Sequence, residues 1–398
     1  MLTGQQSIQR PGALPVPIIA ALVAGGMAAT TNTSVTGLLL TSIADDLGRS
    51  VALLGGLKAL SATVAFITAF PLSRVADHHP RKYLLLLGLC CMLAAALVAL
   101  TAQGLLWFTC YYLLAGAADV ILFAMLLAAA SDYVDGPELD RANGIVIGAF
   151  GLPGFVIVPL AGLVSDSFGW RQAYLINIAV AILAMALVAL LLPRVAPTGS
   201  KPASLLAHLR MLTRKPGLTM LMLGNLMRFT ILTVLIIYTA AFLIEEYQLS
   251  DGRAGFYFGL GAAVFLLAAV VSGWLIGRLG LRKIMAPGGL ILAGGLFVAF
   301  LPGNPGVVAG LGLILSGSLL SIQENGALGA ILRIAPQDRG AATSLNEIGA
   351  AIAGVAGAAL GGLVVELTGF GGLGIFLGLC GLAAVLFTWR ALRSAAPA

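Results

Sequence analysis

Charge is scarce in this sequence. Only 10% of its 398 residues are Asp, Glu, Lys or Arg, against about 25% in a soluble domain, which excludes a chain solvated mainly by water. Histidine is rarer still: His78, His79 and His208 are the three, none within an H-E-x-x-H pattern, so a zinc hydrolase set is missing. The four cysteines, Cys90, Cys91, Cys110 and Cys380, all fall inside apolar stretches, where they behave as small hydrophobes and form no disulfide framework or metal-ligand spacing. A phosphate-cradling G-x-x-x-x-G-K-[ST] loop is absent, as is a nucleophile elbow, which excludes direct use of ATP and gives an enzyme no catalytic set. No cofactor or metal is expected.

What is present is apolar length. Hydrophobic residues make up 60% of the chain and mean hydropathy is +1.03. Crossing the hydrocarbon core takes about 20 predominantly apolar residues. Nearly the whole chain divides into such stretches, predicted at 14–40, 51–72, 83–102, 105–131, 142–165, 171–193, 216–245, 253–277, 284–302, 305–332, 341–366 and 370–392. The first is too long for a signal-peptide core and is followed by Asp45 and Asp46 in place of a small-residue cleavage site, so it is expected to remain as span 1. The class is an all-α polytopic membrane protein whose standing partner is the lipid bilayer.

The formal charge of +6 does not indicate nucleic acid, because the basic residues are dispersed over many short breaks and make no stripe. They report topology. With the N-terminus inside, the even-numbered breaks and both tails hold 17 of the 22 Lys and Arg residues, the bias expected of cytoplasmic loops. Both termini are therefore expected in the cytoplasm, with the short loops suggesting a bacterial cytoplasmic (inner) membrane. The longest polar break, 194–215, separates an N-terminal unit of six spans, 1–193, from a C-terminal unit of six, 216–398. The two resemble each other at an offset of about 200 residues: SRVADHHPRK at 73–82 matches GWLIGRLGLRK at 273–283, and DRANG at 140–144 matches DRGAA at 338–342. Such internal duplication marks transporters that rock two halves about a central site.

Over its full length the sequence resembles the major facilitator superfamily, and within it the bacterial drug/proton antiporter branch. The break after span 2 keeps Asp77, Arg81 and Lys82 of that family's acidic-basic loop, with Ser73, His78 and Pro80 in place of Gly, Arg and Gly. Span 5 carries Gly148, Gly151, Pro153, Gly154, Pro159 and Gly162, akin to the antiporter Gly/Pro segment, although Val158 and Leu163 replace two core glycines. Phe168-Gly169-Trp170-Arg171 before span 6 and LTSIADDLGRS after span 1 are further likenesses. One departure stands out: where the branch places an intramembrane Arg in R-x-x-Q-G on span 4, this chain has Tyr112-Leu113-Leu114-Ala115-Gly116. The resemblance implies twelve helices in two pseudo-symmetric six-helix bundles, a monomer, and an exporter driven by an ion gradient. The leading substrates are small amphiphilic drug-like molecules exchanged for protons. Export of a sugar or another small metabolite, or proton-independent facilitation, stays open.

In that family spans 1, 4, 7 and 10 line the central cavity, and the costly polar residues of this chain fall mainly on them. A charge near the membrane centre costs at least about 2.5–3.5 kcal/mol and normally faces a cavity or a partner. Asp119, in mid-span 4, and Glu324, within Ser321-Ile322-Gln323-Glu324-Asn325 of span 10, are the candidate proton carriers. Each could instead be a static buried acid. The cavity set comprises Asn32, Thr36, Tyr112, Asp119, Arg228, Gln323, Glu324 and Tyr238. Tyr112 lies two turns from Asp119 on the same helical face, and Arg228, permanently charged, can bind an anionic group or bridge the halves. The run Thr30-Thr31-Asn32-Thr33-Ser34 could read a polar substrate or simply pack helices. Gating falls to Asp77, Arg81, Lys82, Arg141, Arg339 and Glu347, the last with the alternative of satisfying a helix N-terminus. Lys58, near the end of span 2, is expected to snorkel to the surface.

Overall fold

The computed structural model describes residues 15–76, 78–133, 137–195, 216–301, 303, 306–334 and 339–394. The 194–215 linker expected from the sequence lies almost wholly outside them. Among the described residues eleven helices are long and apolar enough to cross a membrane. The last, Arg339–Ser394, has 56 residues, or roughly 84 Å at 1.5 Å per residue, far more than a hydrocarbon core of about 30 Å. It holds two spans that turn at Gly369, whose φ of 68° and ψ of −170° no residue with a Cβ adopts at ease. The chain therefore makes twelve crossings, as the apolar pattern predicts.

The helices are α1 (Val16–Leu38), α2 (Leu40–Leu47), α3 (Val51–Gly56), α4 (Lys58–Ala76), α5 (Arg81–Leu100), α6 (Leu105–Tyr133), α7 (Pro137–Leu152), α8 (Val158–Phe168), α9 (Trp170–Leu191), α10 (Pro216–Tyr247), α11 (Asp251–Leu279), α12 (Leu281–Ala299), α13 (Gly306–Ile334) and α14 (Arg339–Ser394). Several predicted spans are broken helices. Span 2 is α3 plus α4. Span 5 is α7 and α8 joined by a π-helical turn over Pro153–Ile157, where Pro153 removes a backbone donor and widens the helix.

Helix faces are sorted by size. On α5 and α9 the sides turned inward carry Ala95, Ala96, Ala99, Ala173, Ala181 and Ala184, all buried, while Leu97, Leu183 and Leu190 stay exposed to what would be lipid. Small inward residues let backbones approach closely, which is how helices associate where lipid is as apolar as leucine. The helices form two pseudo-symmetric bundles of six spans, and an even number of crossings puts the start of α1 and the close of α14 at one end. That end is termed proximal and the opposite one distal. The bundles meet where α1 touches α10, α3 and α4 touch α14, and α8 touches α11.

Candidate functional site

Where α1, α4 and α6 of the first bundle come together, α1 and α4 being helices that touch the second bundle, four side chains converge. Lys58 Nζ stands 3.0 Å from Asp119 Oδ2 and also donates to Thr33 Oγ1 at 2.8 Å and Ser61 Oγ at 3.3 Å. Thr33 Oγ1 in turn donates to the same Asp119 oxygen at 3.2 Å. The side chains of Lys58 and Asp119 keep 15% and 27% of their surface accessible. The helices make this happen: Lys58 and Ser61 are three residues apart on α4, so they share a face, and Asp119 sits at the middle of α6. The expectation that Lys58 snorkels is overturned. Leu57, between α3 and α4, keeps right-handed helical backbone angles, so Lys58 stays within the span, where its ammonium meets a carboxylate partner, and pairing a charge inside a membrane protein outweighs exposing it at the interface. One turn beyond Asp119 on α6, Phe123 stacks on Phe150 of α7 with ring centroids 4.2 Å apart and planes 15° apart. Thr30 donates to the Phe150 carbonyl at 2.6 Å.

Behind this wall lies a polar knot inside the first bundle. Asn177 of α9 donates to Asn32 Oδ1 at 2.8 Å, and Asn32 reaches the Met92 carbonyl of α5 at 3.5 Å. Thr36 is hydrogen-bonded to Tyr111 and, at 2.8 Å, to Tyr174, while Tyr112 donates to the Leu54 carbonyl at 3.1 Å. Asn32, Thr36 and Tyr112, expected in the cavity, are all buried. Their polar atoms find partners within the bundle, as groups without access to water must.

The second bundle repeats the design. Arg228 donates from Nε to Gln323 Oε1 at 3.2 Å and from Nη2 to Thr388 Oγ1 at 2.7 Å, and Gln323 Nε2 donates to the Met285 carbonyl at 3.2 Å. Asn225 donates to Asn346 at 2.6 Å. Arg228 has no exposed surface and so belongs to the bundle interior, not to a cavity wall as expected. Glu324 lies within electrostatic reach of it, with Arg228 Nη1 and Glu324 Oε1 both buried and lacking a hydrogen bond. Tyr238 is also fully buried. Its hydroxyl donates to the Ala358 carbonyl at 3.1 Å, and its ring fills the space that a Cβ on Gly55 of the first bundle would need.

At the distal end the bundles are laced together. Asp251 of α11 accepts from Ser42 of α2 at 2.7 and 2.9 Å and from Ser165 of α8 at 2.5 Å. Ser250 donates to Asp166 at 2.8 Å and Ser50 to Glu366 at 2.9 Å. None of these was singled out from sequence, since a serine or aspartate beside a turn looks like any solvated loop residue. Of the expected gating set, Asp77 lies outside the described residues, as does the side chain of Arg339. Arg81 pairs with Asp132 at 3.2 Å and Lys82 donates to the Ala189 carbonyl at 2.6 Å, both within the first bundle. Arg141 and Glu347 are exposed.

Two broken-helix bundles with polar groups on facing helices have counterparts among known proteins. The family model described as Major Facilitator Superfamily matches residues 22–324 and 221–398. The chain belongs to this superfamily. It is a transporter, not an enzyme, and acts on small molecules in a membrane. Relatives in the superfamily include a protein of Pseudomonas aeruginosa named transcription regulatory protein OpdE, 29% identical over 370 residues and 90% of each chain. A chloramphenicol efflux pump of Mycobacterium tuberculosis is 28% identical over 82% of this chain and 80% of its own. Sugar efflux transporter A of Escherichia coli is 26% identical over 56% of this chain and 62% of its own. Among solved structures, a bacterial homolog of the human lysosomal transporter Spinster, inward-facing and occupied, superposes with a TM-score of 0.77 at 16% identity, over 96% of this chain and 98% of its own. The nucleoside transporter NupG gives 0.77 at 13%, over 95% and 100%. These structures share the superfamily's fold with this chain.

Proposed function

We propose that the protein is a proton-coupled exporter of small amphiphilic compounds, working as a monomer in the bacterial inner membrane with both termini in the cytoplasm. Residues 1–193 and 216–398 act as the two moving units and 194–215 as their tether. The observation that carries this reading is the Lys58–Asp119 pair: a partly exposed carboxylate where α1, α4 and α6 meet, able to take up a proton when its partner is displaced. Glu324, beside Arg228, is the second carrier. The efflux pumps among the relatives favour outward transport, and a laced distal end suits a state that loads substrate from the cytoplasm. Asp77, Arg81, Lys82, Arg141, Arg339 and Glu347 would then close the proximal side in the opposite state. The exchange is tested in liposomes holding a pH-sensitive dye, with wild type compared against Asp119→Asn and Glu324→Gln. Substrate-dependent proton movement lost in one variant, with binding intact, identifies the carrier. Proton movement unchanged in both variants would sink the assignment.

A second reading, export of a sugar or similar metabolite, is favoured by the hydroxyls of Thr33 and Ser61 around the pair and by the sugar efflux relatives.

A further inference from the structure

Lys58 has no task in the exchange just described beyond being displaced, yet its ammonium is fully engaged: three donors meet Asp119, Thr33 and Ser61. Asp119 takes both of these bonds on Oδ2, which leaves Oδ1 as a further acceptor on a side chain that keeps 27% of its surface accessible. The pair is net neutral. One turn along the same helix the stacked, half-buried rings of Phe123 and Phe150 add a flat apolar surface.

We propose that this wall recognises an uncharged solute bearing hydroxyl groups and a planar apolar face, and that Lys58 sets that preference. The inference rests on the reading that the Lys58–Asp119 wall is where substrate binds. An organic cation reaches Asp119 only by displacing Lys58, which leaves an ammonium held by two neutral hydroxyls. An anion that captures Lys58 strands Asp119 in the same way. Breaking a partly buried pair by removing one partner is unfavourable, because the other charge is left uncompensated. A solute hydroxyl avoids both: it donates to Oδ1 while the pair stays intact, and the rings hold the apolar face. Neutrality in the site thus selects neutrality in the ligand, a discrimination made by penalising the wrong partners.

The test uses the full chain, with binding of three probes followed by calorimetry: phenyl β-glucoside, the tetraphenylphosphonium cation and benzoate. Wild type is expected to bind the glucoside at least about tenfold more tightly than either ion. Lys58→Gln unmasks Asp119 and should reverse the order in favour of the phosphonium. Lys58→Arg keeps the wild-type order, and Lys58→Gln with Asp119→Asn removes the gain for the cation. The proposal is overturned if wild type prefers the phosphonium, if Lys58→Gln leaves the ratio unchanged while remaining monodisperse, or if no probe binds. Proton exchange is read separately. Glucoside binding with the expected order but without proton movement defeats the exchange role of Asp119 and supports this inference. Proton movement driven by the phosphonium and not by the glucoside defeats this inference alone.

Discussion

Asp251 on the second bundle accepts a 2.7 Å hydrogen bond from Ser42 on the first, and the same carboxylate takes a second helix of the first bundle through Ser165 at 2.5 Å. One acid therefore ties α2, α8 and α11 together at the distal end. Hydrogen bonds to a charged group contribute about 1.5–3 kcal/mol each, so losing this acceptor should shift a two-state equilibrium by at least tenfold. Asp251→Ala is expected to open the distal end. Spin labels at Arg49 and Arg253, both exposed, with the four native cysteines replaced, would report it as a longer-distance population. An unchanged distance distribution would mean that the bonds do not hold the closed state.

The buried cation makes a different prediction. Arg228→Met leaves Glu324 without its neighbouring cation and takes the donor from Gln323 and Thr388 inside the bundle, an expected loss of about 1–3 kcal/mol for stranding buried polar groups. Arg228→Met with Glu324→Met removes both charges and should recover most of it. Thermal unfolding in detergent, followed by fluorescence, would show the single variant melting well below wild type and the double variant between them or above. If the double variant melts as low as the single one, Arg228 stabilises through packing and its hydrogen bonds to Gln323 and Thr388, not through Glu324.

The first-bundle knot should be sensitive in the same way, without charge. Asn177 and Asn32 are both buried and paired at 2.8 Å, so Asn177→Leu strands the Asn32 side-chain oxygen Oδ1 and adds volume to a packed site. A loss of about 1–3 kcal/mol is expected, with Asn177→Ser milder. Melting temperatures check this, and equal melting of wild type and Asn177→Leu would show that Asn32 finds another donor.

Apolar run length made the twelve crossings legible, because nothing but a helix satisfies its backbone over 20 residues in lipid. The duplication was equally plain, and the structure gives it content: Asn32 bonds toward the α5 carbonyl of Met92 and to Asn177 of α9, while the Arg228–Gln323 couple bonds to the α12 carbonyl of Met285 and to Thr388 of α14. Which way a polar side chain points was not legible. A membrane helix that is apolar all round carries no amphipathic stripe from which to fix its rotation, so Asn32, Tyr112 and Arg228 were expected at the cavity and are found inside their bundles. Lys58 departs from the snorkelling expectation for a related reason. Its place near a helix end is what snorkelling requires, and only the proximity of Asp119 reverses it. Ser42, Ser165 and Asp251 lie more than 80 residues apart in sequence, and no local pattern joins them.

Gly55 and Tyr238 allow the distal seam to be tested by volume instead of polarity. They belong to opposite bundles, and a Cβ at residue 55 would meet the Tyr238 ring and hydroxyl at 2.5 Å, closer than packed atoms tolerate. The ring cannot swing freely, since its hydroxyl is tied to Ala358 at 3.1 Å and the side chain is fully buried. Gly55→Ala should therefore push the bundles apart at this end, as overpacking costs about 1–3 kcal/mol, and enrich the same long-distance population that Asp251→Ala produces. Tyr238→Leu in the Gly55→Ala background removes the colliding atoms and should restore the closed distance. If Gly55→Ala alone leaves the labels at Arg49 and Arg253 unmoved, the ring shifts within its own bundle and the seam is held by hydrogen bonds only. If the double variant stays open, the ring is itself part of what closes the seam.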